Sequence, residues 1–123
     1  MRRSRAGFCA GLTSLALSIV TFAVTADAHS ILLHATPSPG TRVRAPSRVT
    51  LRFNNRIEKR LSRVRLVDER GGTRDLAVAE DGAADWLTAG VPAITPGRYR
   101  VEWQVLSTDG HVVAGRFTFT VTP

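Results

Sequence analysis

Few residues in this 123-residue chain can do chemistry, and they offer nitrogen and oxygen donors. Histidines stand at 29, 34 and 111, and Asp109 precedes the last of them by two residues in "STDGH", Ser107 to His111. The single cysteine, Cys9, and the single methionine, Met1, both fall before residue 28, so a metal site farther along has no sulfur to use. The sequence contains no glycine-rich phosphate loop, no serine nucleophile elbow and no closely spaced Cys/His cluster.

The setting of His29 decides what it can do. Arg2, Arg3 and Arg5 form a basic head, Gly7 to Val24 an apolar run, and Ala26-Asp27-Ala28 a small-x-small site. That order predicts an export signal over residues 1–28, cut after Ala28. A membrane anchor is the competing reading, because the run approaches the roughly 20 residues that span a bilayer. The Thr and Ser residues inside it and the small-residue site behind it favour cleavage. His29 then becomes the first residue of a 95-residue domain, 29–123. Its α-amine and imidazole Nδ1 can close a six-membered chelate ring on one metal ion, which an internal histidine cannot do. The amine titrates at about 7.7 to 8.0 and the imidazole at about 6.5, so a strongly binding metal can take both at neutral pH.

Asp109 and His111 flank Gly110, and a tight turn there can aim a carboxylate and an imidazole at one point. Alone, Asp-Gly is an ordinary turn dipeptide and a histidine after it an ordinary surface residue. Joined to His29, the pair makes a set of one amine, two imidazoles and one carboxylate. Nitrogen-rich, roughly planar ligation of this kind suits Cu(II), which also heads the divalent affinity series. His34, in the first strand, is expected to be a surface or hydrogen-bonded residue rather than a ligand.

The elements that must position these residues alternate with a period of two. "RVTLRFN" sets Val49, Leu51 and Phe53 against Arg48, Thr50 and Arg52; "RVRLVD", "RYRVEWQVLS" and "RFTFTVT" repeat the pattern. Weaker strands are expected at 30–35, 74–79 and 85–88. Turn signals at 36–40, 68–72, 80–82, 95–97 and 108–110 separate them. No segment has a helical period. These features predict an all-β, seven-stranded antiparallel sandwich or barrel of immunoglobulin-like kind. Phe53, Trp103, Phe117 and Phe119 are expected in its core, with Trp86 covering one end.

From residue 29 onward, 14 Arg and Lys face 9 Asp and Glu, a net charge of +5, and 13 of the 14 cations are arginine. They lie on the polar faces of strands without interleaved stacking aromatics, a pattern that excludes a nucleic-acid partner. Solvated strand faces are the simplest use of them, and a patch that docks an acidic partner is the other.

Three stretches, "HSILLHATPSPGTRVRAPSRVTLRFN", "LSRVRLVDERGG" and "ITPGRYRVEWQVLSTDGHVVAGRFTFTV", carry a resemblance across nearly the whole of 29–123. The sequence resembles the CopC family of periplasmic copper-binding proteins. The last stretch is the most specific, with its Pro-Gly turn, Trp strand, "S-x-D-G-H" turn and "G-x-F-x-F-x-V" closing strand. The resemblance implies a seven-stranded Greek-key, cupredoxin-like barrel holding one Cu(II) per chain through the N-terminal amine and side chain of His29, with Asp109 and His111. Asp109 is either a direct ligand or an acceptor that orients one. The implied role is a monomeric periplasmic chaperone or buffer, not an enzyme, whose partner is a CopD-type inner-membrane copper transporter.

Two departures from the family pattern stand out. Asn54 and Asn55 occupy a position where some members carry an acid. Other members have a Met-rich loop associated with Cu(I), whereas this domain has no Met, so a Cu(II) site alone is expected. Two further readings compete. One is a metal-free immunoglobulin-like interaction module. The other is a small copper monooxygenase, since an N-terminal histidine with a second histidine resembles the copper brace of lytic polysaccharide monooxygenases. A 95-residue domain leaves little flat surface for a polymer.

Overall fold

Alternating apolar residues become strands whose apolar halves meet. The computed structural model describes residues 31–123, which hold eight strands. They are β1 (Leu32–Thr36), β2 (Arg42–Val43), β3 (Arg48–Phe53), β4 (Arg63–Asp68), β5 (Thr73–Leu76), β6 (Trp86–Gly90), β7 (Gly97–Leu106) and β8 (Val112–Val121). The one helical feature among the described residues is a 3-10 turn, Lys59–Leu61. None of them forms a helix long and apolar enough to cross a membrane.

The strands form two sheets, a three-stranded one in the order β1-β3-β6 and a five-stranded one in the order β2-β8-β7-β4-β5. They pack as a sandwich rather than a closed barrel. At one edge residues 77–79 step from β5 to β6, where the Ala79 amide donates to the Thr88 carbonyl at 2.9 Å and the Gly90 amide to the Ala77 carbonyl at 3.2 Å. The eighth strand, beyond the seven expected, is β2. It pairs in parallel with the end of β8, whereas every other pairing is antiparallel. Two residues are too few to show an alternation.

Inward residues of the smaller sheet (Val49, Leu51, Phe53, Leu87) meet those of the larger (Val64, Val101, Val105, Phe119), all at most 1% exposed. Each contributes roughly 1.5 to 3 kcal/mol by leaving water. Tyr99 stacks on Phe119 with ring centroids 5.9 Å apart, and its hydroxyl donates to the Thr95 carbonyl at 2.7 Å. Trp103 meets the edge of Phe53 at 5.2 Å and leans over Gly115. A Cβ at 115 would lie 2.7 Å from Trp103 Cε2, so the glycine of the closing strand is the space the indole fills. Trp86 differs from expectation: it shares the outer face of the small sheet with Arg52, whose guanidinium lies 5.7 Å from the ring centroid. It covers a sheet face, not an end.

The longest hairpin positions the chemistry. β7 and β8 stay in register from Gly97 opposite Val121 to Leu106 opposite Val112, ten pairs long. That carries the Ser107–His111 turn to one extremity of the sandwich.

Candidate metal centre

The turn closes because its residues satisfy one another. The Ser107 amide donates to the His111 carbonyl and the Gly110 amide to the Ser107 carbonyl, both at 2.9 Å, while Gly110 takes φ +89°, a conformation that favours glycine. Ser107 is buried at 1% exposure, and its hydroxyl donates to Asp109 Oδ1. The same oxygen accepts the His111 amide at 3.2 Å and lies 3.2 Å from His111 Nδ1. The turn therefore brings the predicted carboxylate and imidazole together, both on the surface.

These contacts act on the charge of Asp109. The Ser107 hydroxyl and then the His111 amide hold the Asp109 carboxyl below the usual carboxylate range, against a smaller opposing push from desolvation. Asp109 is thus an anion wherever an imidazole is neutral enough to bind metal. Its contacts gather on Oδ1, which leaves Oδ2 open. With its proton on Nδ1, facing Asp109, the His111 ring carries its lone pair on Nε2. A carboxylate holding a histidine tautomer in this way is a common support for metal-binding imidazoles.

The donor pair is also tied to the other end of the chain. Thr108 N donates to the Arg56 carbonyl at 3.0 Å, Glu58 N to the Leu106 carbonyl at 2.8 Å, and Ile57 bridges Ser107. Two residues earlier in the same loop, Asn54 Oδ1 accepts the Ile31 amide at 2.7 Å and the Asn54 amide donates to the Ile31 carbonyl at 3.0 Å. The 54–58 loop thus holds the turn with one end and residue 31 with the other. Sequence reasoning treated Asn54 and Asn55 as the loss of an acid; the structure gives Asn54 a clamp of its own. Asn55 and His111 are likewise partnered.

His34 lies exposed on β1, with Nε2 3.3 Å from Thr36 Oγ1, as expected of a surface histidine. His29 and the export signal expected over 1–28 lie outside the described residues. Among the described residues, no group of three or more His, Cys, Asp or Glu could hold a metal ion. Asp109 and His111 are two candidate donors, one carboxylate and one imidazole, of the oxygen and nitrogen type that Cu(II) accepts.

A family model described as the CopC domain matches residues 32–122, covering both donors and both asparagines. The chain belongs to the CopC family. Within it, this CopC-type chain is 33% identical over 114 residues to Protein YobA of Escherichia coli strain K12, spanning 89% of this chain and 90% of that protein. It is 31% identical over 104 residues to Copper resistance protein C of Pseudomonas syringae pv. tomato, spanning 78% and 82%. The crystal structure of CopC from Methylosinus trichosporium OB3b matches with a TM-score of 0.71 at 35% identity, over 77% of this chain and 95% of that one. The two-sheet sandwich is the CopC fold.

Proposed function

We propose that this protein is a periplasmic copper(II) carrier or buffer that begins, after export, at His29. The amine and Nδ1 of His29 chelate one Cu(II), His111 supplies a third nitrogen, and Asp109 supplies an oxygen. Copper is cargo here, and its capture needs no catalytic residue. The observation that carries the reading is the 54–58 loop, which grips both the donor turn and the chain two residues after His29. The names of relatives as copper resistance proteins support copper as the ion. The protein works as a monomer and exchanges copper with a CopD-type inner-membrane transporter.

The test is a Cu(II) titration of exported protein, with its first residue identified by mass spectrometry and binding followed by electron paramagnetic resonance. One tight equivalent with nitrogen hyperfine structure is expected, and His34→Ala should keep it. A protein that starts at His29 and binds no Cu(II) tightly would refute the reading.

A further inference from the structure

Six of the 14 cationic residues of 29–123 share one surface. Strand register places Arg42 on β2, Arg116 on β8, Arg98 and Arg100 on β7, and Arg63 and Arg65 on β4, all on the outer face of the five-stranded sheet. Two carboxylates share that face, Asp75 and Glu102, each taken by one arginine: Arg65 to Asp75 at 3.0 Å and Arg100 to Glu102 at 2.7 Å. The side chains of Arg42, Arg63, Arg98 and Arg116 form no ion pair with a carboxylate among the described residues, although the Arg98 amide donates to Glu69 Oε1. The outer face of the small sheet carries Arg48 and Arg52, the second already held by Asp85 at 3.2 Å.

We infer that the outer face of the five-stranded sheet docks on an anionic phospholipid bilayer. The unpartnered arginines run from β2 to β4, about 15 Å across the strands at roughly 4.8 Å per step. They extend about 20 Å along them, from the level of Arg98 to that of Gln104 beside Arg63, at roughly 3.3 Å per residue. No single small anion reaches across that array, whereas a plane of phosphate headgroups does. Between Arg63, Arg65 and Arg116 lies a cleft of about 380 Å³ that also touches Asp75, Glu102 and Gln104. A phosphodiester fits such a space, and guanidinium groups bind phosphate oxygens in pairs.

The same face has an apolar margin. Val112, 59% exposed, stands opposite Leu106 at the end of the hairpin. Arginines beside exposed aliphatic residues suit the headgroup boundary, where charge and apolar contact both contribute. An acidic protein would meet the charge equally well, but an array this broad and flat favours a planar partner. The inference does not depend on the copper reading.

The experiment is co-sedimentation of the exported protein with vesicles of pure phosphatidylcholine and of phosphatidylcholine mixed with phosphatidylglycerol. Wild type and the Arg63→Gln/Arg116→Gln variant share one N terminus, so the leader does not enter the comparison. Wild type should bind the anionic vesicles and release them as salt is raised. An arginine at an anionic surface is worth about fivefold in partitioning, so the double variant should bind on the order of 25-fold less. Its Cu(II) titration should match wild type. If that variant fails to fold, Arg42→Gln/Arg98→Gln at the other end of the face gives the same reading. Equal binding to neutral and anionic vesicles, undiminished binding by the variants, or capture by an acidic protein with no vesicle binding would each overturn the inference.

Discussion

The donor turn is held largely by its own residues, and the chain entry at Ile31 by distant ones. Within the turn, the main bonds join residues at most four apart: Ser107 to Asp109, Ser107 to His111, and Asp109 to His111. At the entry, the bonds join Ile31 to Asn54, 23 residues away. A local device forms wherever its hairpin forms. A distant one exists only when the sandwich has closed, so the N-terminal half of the proposed copper site depends wholly on the global fold and on export, while the other half, which adds the Thr108–Arg56 bond to its local ones, depends on the global fold only in part.

The largest effect should come from the turn itself. His111→Ala removes an imidazole from the proposed four-donor set, and Cu(II) affinity should fall a hundredfold or more, beyond the roughly 10- to 100-fold typical of residues that merely support ligands. Far-ultraviolet circular dichroism should be unchanged, because the side chain is on the surface. A variant that still binds copper tightly would mean the turn is scaffold only.

The hairpin beneath the turn comes next. Gly115→Ala forces a methyl against the indole of Trp103, and overpacking of this kind costs about 3 kcal/mol. Thermal unfolding should show the loss, while the fraction that remains folded keeps its copper affinity. Full stability would mean that Trp103 does not occupy the space over Gly115.

Asn54→Ala addresses the entry alone. It removes the acceptor of the Ile31 amide but leaves the turn intact, so Cu(II) affinity should fall by roughly tenfold with little change in melting temperature. An unchanged affinity would show that the N terminus finds the turn without the clamp, and the contrast between the two halves would disappear.

The smallest effect concerns protonation. A carboxyl whose folded pKa is depressed contributes stability above its unfolded pKa, and that contribution is lost as pH falls through the folded value. Ser107 is the leading cause of the depression at Asp109. Ser107→Ala should therefore move the Asp109 titration in metal-free protein up toward the ordinary carboxylate range, as read by carboxyl carbon NMR. An unmoved titration would remove the hydroxyl from that role.

Much of the scaffold is legible in the sequence, because burial on one face of a strand leaves its mark every second residue. Val49, Leu51 and Phe53 announce β3, and Tyr99, Val101 and Trp103 announce β7. The turn was legible for the same local reason: Asp-Gly-His is a geometry written in consecutive residues. The parallel pairing of β2 with β8 was not, since two residues carry no period. Asn54 was not either, because its partner is distant in sequence and an asparagine after a strand looks like any loop residue. Trp86 resembled a cap because its neighbour across the sheet, Arg52, is 34 positions away.

The most direct test of the copper reading is one added residue. Protein beginning at His29 and protein carrying one extra amino acid before it should have the same fold and the same Asp109–His111 turn. Extension moves the free amine out of reach of a ring shared with the His29 imidazole. Competition titration with a Cu(II) chelator should then show at least a hundredfold weaker binding for the extended form. Equal affinity for the two would contradict the account.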